Sequence, residues 1–256
     1  MEASDVLQSV RARGGLSQAD LARMAGIAPS TVSRIERGGL EPTWSLMNRL
    51  LESAGYRPTG GLASSGDVNA VAAARTVLGE LAAATSNERV RSWVDRWTRA
   101  RFVDENGRAR DIEKLGVQAG IASRLFDRPN PKLSVVYDRS WQEIVSSLQK
   151  SGVRYAVSGI TATSQTRVRD GAAWPLIYVD SISAAVASAG LREQTTPGPR
   201  VTLISFDDVA ATGTVEEDDF TFVSPGQALI DSYAGPGRMA DQADAAASRW
   251  QASLVA

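Results

Sequence analysis

"SQADLARMAGIAPSTVSRIERG", Ser17 to Gly38, has the periodicity of two short helices separated by a tight turn. Ser17 is a good N-cap, and Asp20 holds the capping-box position three residues later. Leu21, Met24 and Ala25 recur on one face, and Gly26 stops the first helix. Ile27 enters the second helix, Pro29 suits its first turn, and Val32 and Ile35 point inward. Gly38 and Gly39 end it. The outward positions are then Ser30, Thr31, Ser33, Arg34 and Arg37.

The flanks extend the pattern. Val6, Leu7 and Val10 form an apolar stripe that stops at Gly14-Gly15. Pro42 and Thr43 open a fourth helix with Leu46, Leu50 and Leu51 expected inside. Two helices joined by a tight turn are the helix-turn-helix pattern. A DNA-reading helix needs short side chains with donors and acceptors for base edges, and arginines for guanine or phosphate. The outward set supplies both. Gln18, at the start of the preceding helix, brings its amide and free backbone N–H groups near a phosphate. On periodicity alone, a protein-interaction bundle with a polar outside remains the competing reading.

The run "LSQADLARMAGIAPSTVSRIERGGLEPTWSLMNRLLESAGY" resembles the λ-repressor/Cro-like (XRE) family. The resemblance lies in Leu16, Ser17, Gln18, Leu21, Ala22, Ala25, Gly26, Val32, Ser33, Ile35, Glu36, Gly38, Pro42, Leu46 and Leu50. It implies a four- or five-helix DNA-binding module, residues 1–58, with the Pro29–Arg37 helix in the major groove of double-stranded operator or promoter DNA. The implied DNA-binding set is Gln18, Pro29, Ser30, Thr31, Ser33 and Arg34, with Arg37 and Thr43 near the backbone. Glu36 is implied to be structural. The module's arginines are nearly balanced by its acids, so one copy neutralises few phosphates. A homodimer on DNA, or a second DNA-binding surface, is expected.

Composition narrows the rest. The chain has 256 residues, 43% hydrophobic and 22% charged, with a formal net charge of −1. Nucleic acid must therefore meet a local face. There is no cysteine and no histidine. That excludes a zinc finger, a disulfide, a histidine base and a cysteine nucleophile. No cofactor is expected. No apolar run approaches the ~20 residues of a membrane helix, and the first residues do not read as a signal peptide. A cytoplasmic protein with no membrane partner is the expectation.

After the module, "RPTGGLASSGD" is rich in Gly, Ser and Pro, and residues 59–67 read as a linker. Residues 68–140 read as a helical middle segment, with a degenerate winged helix as the alternative. An alanine-rich helix runs from about Val68 to Ala84. The next carries Val90, Trp93, Val94 and Trp97 inward. Arg89, Arg91, Arg96, Arg99 and Arg101 decorate its remainder and read as a solvated face with snorkelling stems, with a nucleic-acid-binding face as the alternative. "DENG" is a turn, "ARDIEKLGVQAGIASRLF" is helical, and "RPNPKLSVVYD" ends in an extended piece.

From 141 to 256 strands and helices alternate, giving a mixed α/β domain. The strands are "VRYAVSG", "WPLIYVD", "RVTLISF" and "FTFVS". The helices are "SWQEIVSSLQKSG", "SISAAVASAG", "PGQALIDSYAG" and "GRMADQADAAASRWQ". Asp180, Asp207 and Asp208 stand at strand ends. A metal-dependent nucleotidyltransferase wants a Gly-Ser turn after one strand and an acid-x-acid pair on the next. Here Ser158-Gly159 is reversed, and "YVDSIS" has one acid. No catalytic and no metal residues are expected. Asp180 reads as a helix cap, and Glu216–Asp219 as a solvated turn. The alternative is a nucleotidyltransferase-like enzyme with those three aspartates on metal and a DNA-binding module in front.

The pieces "YAVSG", "YVD", "VSPGQALID" and "GPGRM", in this order over about a hundred residues, resemble the C-terminal domain of AbiEi-type antitoxins of type IV toxin–antitoxin systems. This resemblance implies a non-catalytic regulator, with a catalytically inactive nucleotidyltransferase-like or related α/β fold. It implies a repressor of its own operon and a nucleotidyltransferase-type toxin as partner. That family's usual front module is a winged helix, whereas here an XRE-like module stands there. The expected fold class is α+β: an all-α helix-turn-helix module, a helical middle and a mixed α/β end.

Overall fold

A computed structural model describes residues 2–59, 61–82, 87–137, 139–163, 174–192, 200–235 and 239–253. The fold mixes α and β, with a helical N-terminal module and a C-terminal sheet. It divides into two compact units: Met1–Arg128 with Ala247–Ala256, and Pro129–Ala246.

The first unit begins with α1 (Ala3–Gly14), α2 (Gln18–Ala25), α3 (Pro29–Glu36) and α4 (Trp44–Ser53). Leu7, Val10, Leu16, Leu21, Met24, Val32, Ile35, Met47, Leu50 and Leu51 fill their common core. Each such side chain contributes roughly 1.5–3 kcal/mol when fully buried. Thr43 caps α4 by accepting from the Leu46 amide. This phase puts Met47 inside and leaves Leu46 half-buried.

Where composition suggests a linker, the chain pairs as an antiparallel hairpin, β1 (Tyr56–Thr59) with β2 (Gly61–Ser64). The Ser64 and Ser65 hydroxyls and the Asp67 amide all donate to the Ala122 carbonyl, at 3.1, 2.8 and 2.8 Å. Small residues here serve close approach rather than freedom. Gly55 has φ +82°, and a Cβ there would sit 2.7 Å from Ala122 Cα. Asp67 then caps α5 (Val68–Val77) and accepts from the Trp93 indole N–H at 2.9 Å. The alanine-rich helix thus ends at Val77, and 83–84 lie outside the described residues.

Next come α6 (Glu88–Arg99), with Trp93 and Trp97 buried, and α7 (Ile112–Ala122), capped by Asp111. The Asp104–Gly107 stretch between them is a turn, its amides served by the Asp104 side chain. A 3-10 turn at Leu125–Asp127 follows. Helices, the 3-10 turn and one isolated bridge, Val103 with Ala109, make up the described part of 68–128, which holds no strand of a wing.

The second unit runs β3 (Lys132–Val136), α8 (Trp141–Lys150), β4 (Tyr155–Ser158), α9 (Ile160–Thr163), β5 (Leu176–Val179), α10 (Ile182–Ala189), β6 (Arg200–Ser205), α11 (Asp208–Ala211), β7 (Val215–Glu217), β8 (Phe220–Phe222) and α12 (Pro225–Ala234). A last helix, α13 (Met239–Ser253), begins in this unit; Ala247 onward belongs to the first. The sheet order is β3-β6-β5-β4-β8-β7. β5/β6 and β4/β8 are parallel and the other pairs antiparallel. β4 and β5 are buried along their whole length, as a strand covered on both faces must be.

Two features differ from the sequence reading. β3 lies along β6, Lys132 opposite Ile204, so this unit starts at 129 rather than 141. Glu216 and Glu217 belong to strand β7, and only Asp218 and Asp219, both at positive φ, form the turn. Ser164-Gln165, Glu193-Gln194 and 236–238, the middle of "GPGRM", lie outside the described residues.

Gly55→Ala should weaken the first unit strongly, because about 1–2 kcal/mol of left-handed strain adds to a collision with Ala122 backbone. Gly79→Ala, at φ +80° with open space around it, should cost the strain alone. Hydrogen-exchange protection of the α7 and hairpin amides measures both; equal losses would mean the hairpin does not pack on Ala122.

Candidate nucleic-acid interface

The interface is built on a turn. Ser17 Oγ accepts from the Asp20 amide at 3.1 Å, and the Asp20 carboxylate accepts from the Ser17 amide at 3.0 Å. That reciprocal cap fixes the start of α2. Burial would raise the Asp20 pKa; the Ser17 and Arg23 hydrogen bonds and the Lys114 charge outweigh it and hold it below the usual range. Gly26, at φ +66°, ends α2 in the left-handed conformation, which glycine adopts without a Cβ penalty. Three residues later Pro29 opens α3.

α3 buries Val32, Ile35 and Glu36. Pro29, Ser30, Arg34 and Arg37 are exposed, and Thr31 and Ser33 are half-buried. Ser30, Ser33, Arg34 and Arg37 fall at i, i+3, i+4 and i+7, one stripe along the outer face. Arg37 Nε reaches back to the Ser33 carbonyl at 3.2 Å, which steadies its stem. Thr43 is exposed, and its hydroxyl accepts a hydrogen bond as the α4 cap. The hydroxyl proton can still be donated.

Glu36 explains why α3 sits as it does. Its carboxylate is 4% exposed and receives both forks of Arg11, at 2.6 and 2.8 Å, and the Gln18 amide at 2.8 Å. Gln8 donates to its backbone carbonyl at 3.2 Å, and Arg11 also binds the Leu16 carbonyl at 2.9 Å. Burial alone would raise the Glu36 pKa, but hydrogen bonds from Arg11 and Gln18, with the Arg11 charge, hold it below the usual range. The bond to Glu36 correspondingly raises Arg11. Gln18 is half-buried at the first turn of α2, with its amide nitrogen committed to Glu36, which leaves its carbonyl oxygen and the helix-end amides toward the outside.

Arg11 and Gln8 had no signal in the sequence: Arg11 is 25 residues from its partner. Trp44, 67% exposed beside Thr43, was also not singled out; a tryptophan in a first helical turn ordinarily reads as core.

The strand-end aspartates have other partners. Asp180 faces Arg154 at 3.9 Å, both half exposed. Asp207 caps α11 through the Ala210 amide at 2.7 Å and accepts from Asn130 at 2.9 Å. Asp208 is exposed in the first turn of α11. β5 and β6 are parallel and β4 is antiparallel to β5. Asp180 and Asp207 therefore share one end of the sheet, and Ser158-Gly159 stands at the other. There, Ser158 Oγ donates to Asp231 at 2.6 Å, and the Gln227 amide reaches Asp231 at 3.1 Å and the Tyr178 hydroxyl at 3.3 Å, all buried. A Cβ on Gly159 would meet Met239 Cε at 2.8 Å.

Residues 7–59 match the helix-turn-helix family model, of XRE type. No curated protein and no solved structure matches the chain. The match points to a DNA-binding transcription regulator. No helix among the described residues is long and apolar enough to cross a membrane.

Glu36→Gln should cost about 3 kcal/mol at neutral pH, because Arg11 is left facing an uncharged, half-matched partner. A carboxyl with a depressed folded pKa stabilises fully above its unfolded value of ~4.3. That stabilisation disappears as pH falls through the folded value. Urea titrations from pH 7 to pH 2 should show the two proteins converging in the acid. A constant gap down to pH 2 would contradict the ion pair.

Proposed function

We propose that this protein is a sequence-specific transcriptional repressor, that α3 reads the major groove of its operator, and that it acts as an AbiEi-type antitoxin on its own operon. The observation that carries the DNA reading is the outer stripe along α3 and its C-cap: Ser30, Arg34 and Arg37 exposed, with Ser33 half-buried among them. Arg34 suits the O6 and N7 of a guanine, the serines suit several base edges, and Arg37, Gln18 and Thr43 suit phosphates. Pro29 and Thr31 line the approach. Double-stranded DNA is the partner and the cytoplasm the place of action.

The antitoxin reading draws on the four stretches of its resemblance. Residues from all of them meet in one buried cluster: Ser158 and Gly159, Tyr178, Gln227 and Asp231, Met239. A strand, a Ser158-Gly159 turn, a helix and a second strand follow in the order of a nucleotidyltransferase-like core, which supports that fold. The Ser158-Gly159 turn is filled by Asp231 and Met239, and Asp180 and Asp207 are engaged at the far end of the sheet. This favours a regulator without transferase activity, whose partner is a nucleotidyltransferase-type toxin.

Arg34→Ala should weaken binding to the protein's own promoter by roughly 1–3 kcal/mol with its circular dichroism unchanged. Fluorescence anisotropy on a promoter duplex decides it, and an unaltered affinity would remove α3 from the interface. Co-expression tests the antitoxin reading: the chain should restore growth to cells arrested by an adjacent nucleotidyltransferase gene. A transfer of labelled nucleotide by the chain with Mg²⁺, lost on changing Asp180, Asp207 and Asp208 to Asn, would establish the enzyme instead.

A further inference from the structure

Three of the four helices of the matched module have a C-terminal carbonyl held by a side chain from beyond residue 59. Gln118, on α7, donates to Gly14 O of α1 at 3.1 Å. Arg99, on α6, donates to Arg23 O and Met24 O of α2, both at 3.3 Å. Arg96, one turn earlier on α6, donates to Glu52 O of α4 at 3.2 Å. Arg23 O and Glu52 O also accept the Gly26 and Gly55 amides, each at 3.1 Å; the arginines use the second lone pair of these carbonyls and meet the partial negative charge of the helix ends. α3 packs against α1 and α2.

We propose that α6 is a brace that sets the angle of the reading helix, with Arg96 and Arg99 as positioning residues for operator recognition. The inference rests on the reading of α3 as the DNA-contacting helix. Arg23 and Met24 lie in the last turn of α2, directly before the Gly26 turn that launches α3 at Pro29. Holding those carbonyls fixes the direction in which Pro29 and Ser30 enter the groove. Arg96 is itself seated. Its guanidinium lies 4.6 Å over the Trp93 ring, and the Trp93 indole is tied to Asp67. Arg96 and Arg99, at i and i+3, share one face of α6 and grip two helices at once. Gly14 lets Gln118 approach closely: a Cβ there would come 2.6 Å from the Gln118 amide nitrogen. The arginines of α6 would thus raise specificity without touching DNA.

The test uses the full chain, with an operator duplex selected from a random library and a scrambled duplex. Binding is followed by anisotropy at several salt concentrations, well below the melting temperature of each variant. The Arg96→Ala/Arg99→Ala double variant should lose about ten-fold in operator affinity and keep its affinity for the scrambled duplex. Its salt slope should be unchanged, because no phosphate contact is lost, and Arg99→Lys should recover part of the loss. A parallel fall for both duplexes, with the slope shallower by about 0.9 per arginine, would mean phosphate contacts and overturn the brace. A lowered melting temperature with unchanged operator affinity would also overturn it, leaving a structural role alone. Should the double variant not fold, Arg96→Gln and Arg99→Gln are read by the same criteria. Arg34→Ala in the same assay separates the premises: if it too binds normally, the DNA reading of α3 has failed rather than the brace.

Discussion

The Glu36 carboxylate joins α3 to α1 through Arg11 and to α2 through Gln18. A buried ion pair of this kind adds little net stability over well-packed apolar residues, because desolvation consumes most of its attraction. What it adds is direction. A bidentate guanidinium–carboxylate pair tolerates little rotation, so α3 is held at one angular setting about its axis. That setting turns Val32 and Ile35 inward and presents Ser30, Ser33, Arg34 and Arg37 outward. The surface that can meet DNA is thus a consequence of one buried acid. The same contact holds Gln18 at the first turn of α2 through its amide nitrogen.

Around that hub the remaining constraints are backbone constraints. Gly26 takes the left-handed turn between α2 and α3. Carbonyls at the ends of α1, α2 and α4 are met from α6 and α7. The Arg96–Glu52 and Arg99–Arg23 bonds are exposed and the Arg99–Met24 bond part-buried; the Gln118–Gly14 bond is buried, where a neutral hydrogen bond contributes about 1 kcal/mol but an unmet carbonyl costs more. The second unit has its own buried polar hub in Ser158, Tyr178, Gln227 and Asp231, which pins α12 to β4 and β5.

Local chemistry was legible in the sequence and long-range pairing was not. Ser17, Asp20, Gly26 and Thr43 mark helix ends by bonds made within three or four residues, and Pro29 by its fixed φ, so α2, α3 and α4 could be placed from them. The outer stripe of α3 followed from the apolar positions opposite. Residues 59–67 looked like a linker because glycine and serine signal turns; the bonds to Ala122, 57 and 58 residues away, carry no local sign. For the same reason β3, which depends on β6, escaped the domain boundary. Arg96 and Arg99 looked like a solvated face because their acceptors are backbone carbonyls, which every residue possesses. Leu46 and Met47 show the limit of periodicity: a one-residue shift in the start of α4 exchanges which of them is inside.

The central claim is that α3 of the intact chain enters DNA. Hydrogen–deuterium exchange of the full chain, with and without a duplex selected from a random library, tests it most directly. Protection on binding should concentrate in Pro29–Arg37 and the first turns of α2 and α4, with the β4–β6 amides unchanged. Protection confined to 129–246, with α3 exchanging as in the free protein, would contradict the account.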